Sequence, residues 1–572
     1  MNVLNRLRAA FAAATPEGGD PSAFAAAVRP AGDPKFGDYQ ANGCMAVAKS
    51  LKKNPREVAV AVAEAVDLEP LAGKPEVAGP GFLNVRLHDE WLTAQVAELL
   101  RDPAHGLTAP EAKKTVVIDF SSPNVAKPMH VGHLRSTVIG DSLARIFEAL
   151  GHTVVRDNHL GDWGAQFGMI LWGWKNHRDQ AAYDVDPVAE LSRLYRLASS
   201  KIKEGDRDVE SAARAETAKL HAGDAENRDL WAQFMPHCLK ALHAMYDRLG
   251  VRFDVELGES FYDPMLADVV SDLEAKGIAE TSEGAVVAFV EGIKAPFIVR
   301  KRDGAFNYGT TDLATIRYRE QTWDPDQALY VVDARQADHF KQLFAVARRW
   351  GYGKVDLQHV AFGTIMGADR RPYKTRDGDV VGLESLLDEA VAEARKVVDA
   401  NSPDIEPDDR ARIAEIVGLG AVKYADLSQN RISDYVFDWS KMLAMNGNTA
   451  TYLQYAYARI QSILRKGGVS SESIRDRAPA ILLSHPAERG LAVRVLRLPE
   501  VLELAASELK PNILTDYLFD LANAYSTFYE GCPVLKAESD ERRDSRLALC
   551  DLTAQTLKHG LSILGIDVVD RM

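Results

Sequence analysis

The sequence predicts a multidomain protein of α/β plus all-α class: an N-terminal α/β domain, a parallel-sheet domain with a helical insertion, and a C-terminal helical bundle. Three observations carry this reading. From residue 115 onward, apolar runs typical of buried strands alternate with helical patterns. A wholly helical stretch then breaks that alternation, and from about residue 396 the helical pattern becomes continuous. The expected boundaries are 1–112, 113–395 with the insertion at about 176–290, and 396–572. A chain of 572 residues suits roughly three to four domains. Its 46% hydrophobic content can bury a sizeable core.

The N-terminal domain contains a helical pattern over Tyr39–Leu51 and closes with the run Val77–Leu87, where a Gly-Pro-Gly turn leads into an alternating strand. A plain hairpin accounts for that segment by itself. The alanine-rich stretch Ala9–Ala14 is short and leads into Gly/Pro-rich sequence, so it reads as an ordinary helix and the protein as cytoplasmic. The apolar runs fall far short of a membrane span. Cys44, Cys238, Cys532 and Cys550 lie far apart with no Cys-x-x-Cys, which predicts neither a zinc site nor a disulfide framework. A net charge of −14 argues against a general nucleic-acid binder, yet local basic patches on an acidic body can still hold RNA.

The second domain opens with an apolar run, Thr115–Phe120, followed by Ser121–Ser136 and a helical pattern carried by Leu134, Val138, Leu143, Phe147 and Leu150. That order sets His130 and His133 at a helix N-terminus, where free N–H groups and the positive dipole end favour phosphate. Two imidazoles add directed donors, and Gly132 lets a flat ligand approach the backbone. Taken alone, His-x-Gly-His fits a helix cap as well as a site. A second strand, Thr153–Asn158, completes a β-α-β unit. The glycine-dense run Asn158–Gly168 reads as a tight loop, with Trp163 there for packing. Tyr308–Thr315 opens another helix, and Tyr330–Gln336 reads as a strand ending in polar residues. Asp312 fits a helix N-cap about as well as a ligand group. A basic, glycine-bounded loop, Gly367–Gly378, follows the strand-like run Val355–Phe362 and suits phosphates, although a solvated surface loop has the same composition. In the C-terminal domain, Tyr452, Tyr455 and Arg459 share one helical face, as either core or a platform for unpaired bases.

The run Ser121–Ser136 resembles the HIGH signature of class I aminoacyl-tRNA synthetases, in the variant typical of arginyl-tRNA synthetases, and the resemblance extends across nearly the whole chain. It implies a Rossmann-type catalytic domain, a tRNA-contacting N-terminal domain and an anticodon-binding bundle. The implied reaction is ATP-dependent ligation of L-arginine to its cognate tRNA through arginyl-adenylate. Mg²⁺ would accompany ATP, with no metal held by protein side chains, no zinc and no organic cofactor. It assigns Lys127, His130, Gly132, His133, Lys374 and Arg376 to ATP and catalysis. Asp119, Ser122, Asn124, His133, Tyr308, Asp312 and Gln336 would bind arginine, whose guanidinium needs a carboxylate that accepts parallel N–H bonds. Phe82, Asn84, Tyr452, Tyr455, Arg459 and the terminal Met572 would contact tRNA. The loop at Gly367–Gly378 takes the place of the KMSKS loop but carries Thr375 where its second lysine should be; part of the family shares this loss and has a lysine just before the first histidine, here Lys127. No editing domain, a monomer and no membrane partner are expected. Two rivals stand beside this reading. Another H-x-G-H nucleotidyltransferase would not need the flanking domains, and an inactive RNA-binding paralogue should have lost His130, His133 or Asp312.

Overall fold

The computed structural model describes residues 2–125, 127–367, 369–371, 373 and 381–572. They form two compact units, one of residues 1–109, 444–508 and 512–572, the other of residues 110–443 with 509–511. The first unit holds β1 (Val28–Pro30), β2 (Tyr39–Ala41), β3 (Glu76–Ala78) and β4 (Phe82–Val85) in an antiparallel sheet of order β1-β2-β4-β3. β3 and β4 are the hairpin expected across the Gly-Pro-Gly turn, with Ala78 opposite Phe82. The helical pattern over Tyr39–Leu51 holds only from Cys44. Tyr39 and Ala41 are buried on either side of Gln40, the period of a strand, and Tyr39 pairs with both Pro30 and Val85.

The N-terminal layer and the C-terminal helices share this unit through buried polar contacts. The Tyr39 hydroxyl donates to Glu500 Oε1 at 2.5 Å, and the same oxygen accepts from the Leu4 amide at 3.1 Å. Arg489 grips Asp38 with two bonds of 2.8 Å and reaches Asp89 at 2.6 Å. The helices Ala450–Lys466, Asn512–Gly531 and Asp540–Ile563 build the bundle, each with a buried apolar face.

The second unit is built on β5 (Thr115–Asp119), β6 (Thr153–Leu160), β7 (Val255–Gly258), β8 (Glu280–Ser282), β9 (Ala285–Ala288), β10 (Phe297–Arg300), β11 (Gln327–Tyr330), β12 (Asp356–His359), β13 (Ile365–Met366) and β14 (Tyr435–Val436). Five of these form a parallel sheet of order β12-β11-β5-β6-β7, and β8–β10 make a small antiparallel sheet. From β5 the chain runs first to β6 and β7 on one side, then to β11 and β12 on the other, so the topological switch lies between β5 and β11. Ligands of such sheets bind beyond the strand ends at that point. The helix Val131–Ala149 returns from β5 to β6 and lies against the strand end closely enough that a Cβ on Gly140 would sit 2.2 Å from Phe120 Cγ. The strand expected at Tyr330–Gln336 instead ends at Tyr330, where pairing to β5 and β12 stops. Ala334–Gln336 is a short 3₁₀ turn capped by Asp333, whose carboxylate accepts the Arg335 amide.

The insertion expected at about 176–290 opens with four helices between Gln180 and Leu249, but β7, which lies within that range, is a strand of the main sheet. The helices Leu383–Asn401 and Pro407–Leu427 both belong to this second unit, which runs to residue 443, past the boundary expected at 395. One buried ion pair fixes the second of them. Arg135, on the helix after β5, meets Asp426 at 3.0 Å and donates to the Ser433 and Arg431 carbonyls. Among the described residues no helix is long and apolar enough to cross a membrane. Asp426→Ala leaves the Arg135 guanidinium buried without its carboxylate and should cost about 3–5 kcal/mol in stability. Adding Arg135→Met should recover part of that loss in urea unfolding; identical losses in the single and double variants would contradict the pair's role.

Candidate active site

The site begins where β5 ends. Ser121 and Ser122 take left-handed φ values of +70° and +44°, so the chain reverses sharply off the central strand. Such a turn survives only when its surroundings over-determine it. The Ser121 amide donates to Ser136 Oγ at 2.8 Å, and Ser136 Oγ in turn donates to the Val331 carbonyl at 2.7 Å. The Ser122 amide donates to Asn158 Oδ1 at 3.1 Å, and Ser122 Oγ to Asp119 Oδ1 at 2.8 Å. Asn158 Nδ2 then holds Tyr246 and Glu256 at 3.1 and 3.0 Å. Asn124, two residues on, bridges to Gly161 in the glycine-dense loop after β6.

The next segment delivers the histidines to the N-terminus of the helix Val131–Ala149. His130 is the N-cap, and its Nδ1 accepts the Gly132 amide at 3.1 Å. His133 Nδ1 accepts the His130 amide, also at 3.1 Å, and the rings lie 3.9 Å apart. A Cβ on Gly132 would come within 2.9 Å of the His130 ring, so the glycine lets that ring fold back over the helix end. Burial, then the Lys127 ammonium, pushes His130 below its ordinary range. Burial first, then His130 and Lys127, takes His133 down to about 3. Both imidazoles are therefore neutral near pH 7. Because each Nδ1 accepts a backbone N–H, each Nε2 carries the proton, and the pair presents two N–H donors. Lys127 rests its ammonium 4.8 Å from the centre of the Tyr195 ring.

A cation-accepting region lies at the same sheet edge. The helix Tyr308–Trp323 ends just before β11 begins, so its N-terminal turns stand at the carboxyl ends of the strands. Its N-cap is Asn307, and Asp312 sits in the second turn, which removes the capping explanation for that carboxylate. Asp312 Oδ2 lies 2.6 Å from His339 Nε2, whose ring is 4.8 Å from that of the exposed Tyr308. Glu259 belongs to the same neighbourhood: burial raises its carboxyl, and the charges of Asp162 and Asp312 raise it further against the pull of His159. Gln336 is exposed as the N-cap of the helix Ala337–Trp350, three residues before His339. Asp119 is already engaged, for Arg319 donates to it at 2.7 Å and to Asp157 at 2.8 Å. Trp163 is buried against His221, Trp231 and Arg228, which is the packing role expected for it.

Lys374 and Arg376 lie outside the described residues. The base of their loop is a tight turn in which the Gly367 amide donates to the Arg371 carbonyl at 2.8 Å and Tyr373 stacks 5.0 Å from Phe437. In the first unit, half-buried Phe82 and buried Asn84 share β4. Asn84 accepts from Gln40 at 2.9 Å and opens on a cavity of about 410 Å³ that Lys35, Lys74, Arg86 and His88 also line. On the helix Ala450–Lys466, Tyr455 and Arg459 are exposed, with the Arg459 guanidinium 4.3 Å over Tyr529. Tyr452 is half-buried and edge-on to Phe519. The stripe thus faces outward, while Leu453, Ala456 and Ile460 fill the core. The chain end leading to Met572 is held to that helix, Asp567 by Gln454 at 2.8 Å and Asp570 by Arg465 at 3.1 Å. Sequence reasoning missed His339, Glu259, Arg319 and Tyr195; only His339 left a signal, its spacing of three from Gln336 across a helix start.

Three families match the chain in succession. The one described as "Arginyl tRNA synthetase N terminal domain" covers residues 1–87, "tRNA synthetases class I (R), catalytic domain" covers 95–439, and "DALR anticodon binding domain" covers 453–572. An arginine–tRNA ligase of Rhodopirellula baltica is 44% identical over 671 aligned residues, spanning 100% of both chains. One of Shigella sonnei is 46% identical over 550 residues and 94% of each chain. The crystal structure of the arginyl-tRNA synthetase from Plasmodium falciparum matches with a TM-score of 0.84 at 28% identity, over 100% of this chain and 99% of that one. The Thermus thermophilus arginyl-tRNA synthetase matches with 0.82 at 25% identity, over 99% and 100%.

The two histidines generate a spectroscopic prediction. In ¹⁵N-histidine spectra assigned by substitution, His130 and His133 should appear as neutral Nε2–H tautomers near pH 7, with His133 uncharged down to about pH 4. A His133 signal that titrates near 6.5 would contradict this arrangement.

Proposed function

The chain belongs to the arginyl-tRNA synthetases of class I, and from that footing we propose how its own residues carry out ATP-dependent ligation of arginine to tRNA. One observation carries the residue-level reading. Two neutral N–H donors at a helix N-terminus and a carboxylate-rich region stand at the same edge of one parallel sheet. The first suits the phosphates of ATP and the second a guanidinium.

In this reading the arginine carboxylate attacks the α-phosphorus of ATP in line. A new P–O bond forms, the bond to the β-phosphate oxygen breaks, and pyrophosphate leaves from the arginyl-adenylate. His130 and His133 direct their Nε2–H groups at the charge that grows on the phosphoryl oxygens, and Gly132 keeps the backbone low beside them. Lys127, with Lys374 and Arg376 of the following loop, neutralises the departing pyrophosphate. ATP enters as its magnesium complex, a substrate and not a resident metal. Asp312 accepts the guanidinium through the oxygen that His339 leaves open, and Tyr308, Gln336, Asn124 and Ser122 complete the pocket. Asp119, with Arg319 and Ser122 on its oxygens, adds negative potential and holds the turn. The 3′-terminal ribose hydroxyl of tRNA then attacks the activated carbonyl, and AMP leaves. No protein nucleophile is needed, because positioning and charge stabilisation suffice.

The RNA reading places Phe82 and Asn84 of residues 1–112 against the body of the tRNA. It places Tyr452, Tyr455, Arg459 and Met572 of residues 396–572 against the anticodon region. In the same reading the protein acts as a cytoplasmic monomer.

ATP–pyrophosphate exchange with tRNA present should be stimulated by arginine and by no other standard amino acid. Asp312→Asn should weaken arginine by roughly 2–4 kcal/mol, the scale of one partner lost from a buried charged pair, and leave the KM for ATP unchanged. Equal weakening of both ligands would show that the variant disturbs the backbone and not the guanidinium. Tyr455→Ala should cost about 1–3 kcal/mol in tRNA binding at an unchanged melting temperature, as expected for a stacking platform. A large fall in melting temperature with normal tRNA affinity would return Tyr455 to the core.

A further inference from the structure

We propose that Tyr195, on the helical insertion, is a positioning residue for arginine activation, its ring face holding the Lys127 ammonium beside His130 and His133. The proposal rests on the reading that Lys127 supplies the charge missing at Thr375. The Lys127 Nζ lies 4.8 Å from the centre of the Tyr195 ring, and among the described residues this ammonium makes no hydrogen bond and no ion pair, the lysine's one bond being from its backbone amide to the Asn124 carbonyl. The lysine is nevertheless near enough to both imidazoles for its charge to depress them. The ammonium therefore sits between the insertion and the motif helix, with an aromatic face as its partner.

The ring is firmly mounted. Tyr195 belongs to the helix Pro187–Lys203, whose Leu191, Leu194 and Ala198 are buried and whose N-cap, Asp186, accepts the Ala189 amide at 3.0 Å. That helix packs so closely on the helix Ala165–His177 that a Cβ on Gly173 would lie 2.9 Å from Leu194 Cβ. The helix Ala165–His177 starts directly after the glycine-dense loop of the site, so the ring is tied to the frame that carries β6.

An aromatic partner suits a lysine that must meet a polyphosphate. A cavity of about 320 Å³ opens beside Lys127, and the carboxylates of Asp186 and Glu384 line it. Pairing with either would order the lysine but cancel its charge. The quadrupole of a phenol ring orders the ammonium and leaves the full positive charge for the incoming phosphates. The insertion thereby contributes to activation from outside both sequence motifs.

The test is ATP–pyrophosphate exchange with tRNA present, with melting temperatures recorded, for Lys127→Ala, Tyr195→Leu, Tyr195→Phe and the double variant Lys127→Ala/Tyr195→Leu. Tyr195→Leu should lower kcat/KM for ATP by about 2- to 30-fold, the span of a cation–π contact, without moving the KM for arginine. Tyr195→Phe, which keeps the face, should restore activity, and Tyr195→Leu should add nothing once Lys127 is gone. Wild-type kinetics for Tyr195→Leu, or losses that multiply in the double variant, would overturn the proposal while a severe Lys127→Ala kept the lysine in the mechanism. A silent Lys127→Ala would remove the lysine reading and the proposal together. If Tyr195→Leu does not fold, Tyr195→Met answers the same questions.

Discussion

The arrangement of the second unit hangs on two adjacent serines in left-handed backbone at the end of its central strand. An L-residue held there costs about 1–3 kcal/mol, and the expense is met by bonds from four separate places in the chain. Ser136 takes one amide and Asn158 the other, while Asp119 and Tyr246 hold the two hydroxyls. The turn throws the chain away from β5 at the point where the two halves of the sheet diverge. It therefore decides where Asn124 meets the glycine loop, where Lys127 lies and how the helix with both histidines begins.

Around that turn, the charges are sorted. The donors at the start of the helix Val131–Ala149 are neutral imidazoles, kept so by burial and by an adjacent ammonium. Neutral donors bind an anion without adding a buried charge of their own. Toward β11 and the helix Tyr308–Trp323 the sign reverses, with the charges of Asp162 and Asp312 raising the carboxyl of Glu259. Two fully buried guanidiniums frame the sheet: Arg319 joins β5 to β6 through Asp119 and Asp157, and Arg135 joins the motif helix to Asp426. Such pairs contribute little net stability, but they select one register over its neighbours because any slip would strand a buried charge.

The first unit makes its surfaces differently. Its helix Ala450–Lys466 divides cleanly between a buried apolar face and an outward stripe of Tyr455 and Arg459, the latter stacked on Tyr529. Arginine resting on an aromatic face is pre-ordered for stacking and keeps its five donors free to choose partners. The net charge of −14 conceals this local pairing, since it sums over the whole chain.

Local chemistry made much of this legible before any coordinates. The strand Thr115–Asp119, the helix after it, the β3–β4 hairpin and the pairing of His130 with His133 each follow from patterns within about twenty residues. The sequence also marked Asp312 and Tyr308, yet it left Asp312 equally plausible as a cap until Asn307 proved to be the N-cap. Where local and distant demands disagreed, the distant ones prevailed. Tyr39–Ala41 looked helical and became a strand, because Pro30 and Val85 offered backbone partners on both edges. The partners of Asp119, Lys127 and Asp312 were invisible in the sequence, since Arg319, Tyr195 and His339 stand 200, 68 and 27 positions away. By itself, the sequence determined those helices and strands whose pattern is local and which residue types can meet phosphate or guanidinium. Only the tertiary structure decided which of those groups are open to a ligand and which are already taken, because a side chain's partner depends on contacts the chain makes after it has folded.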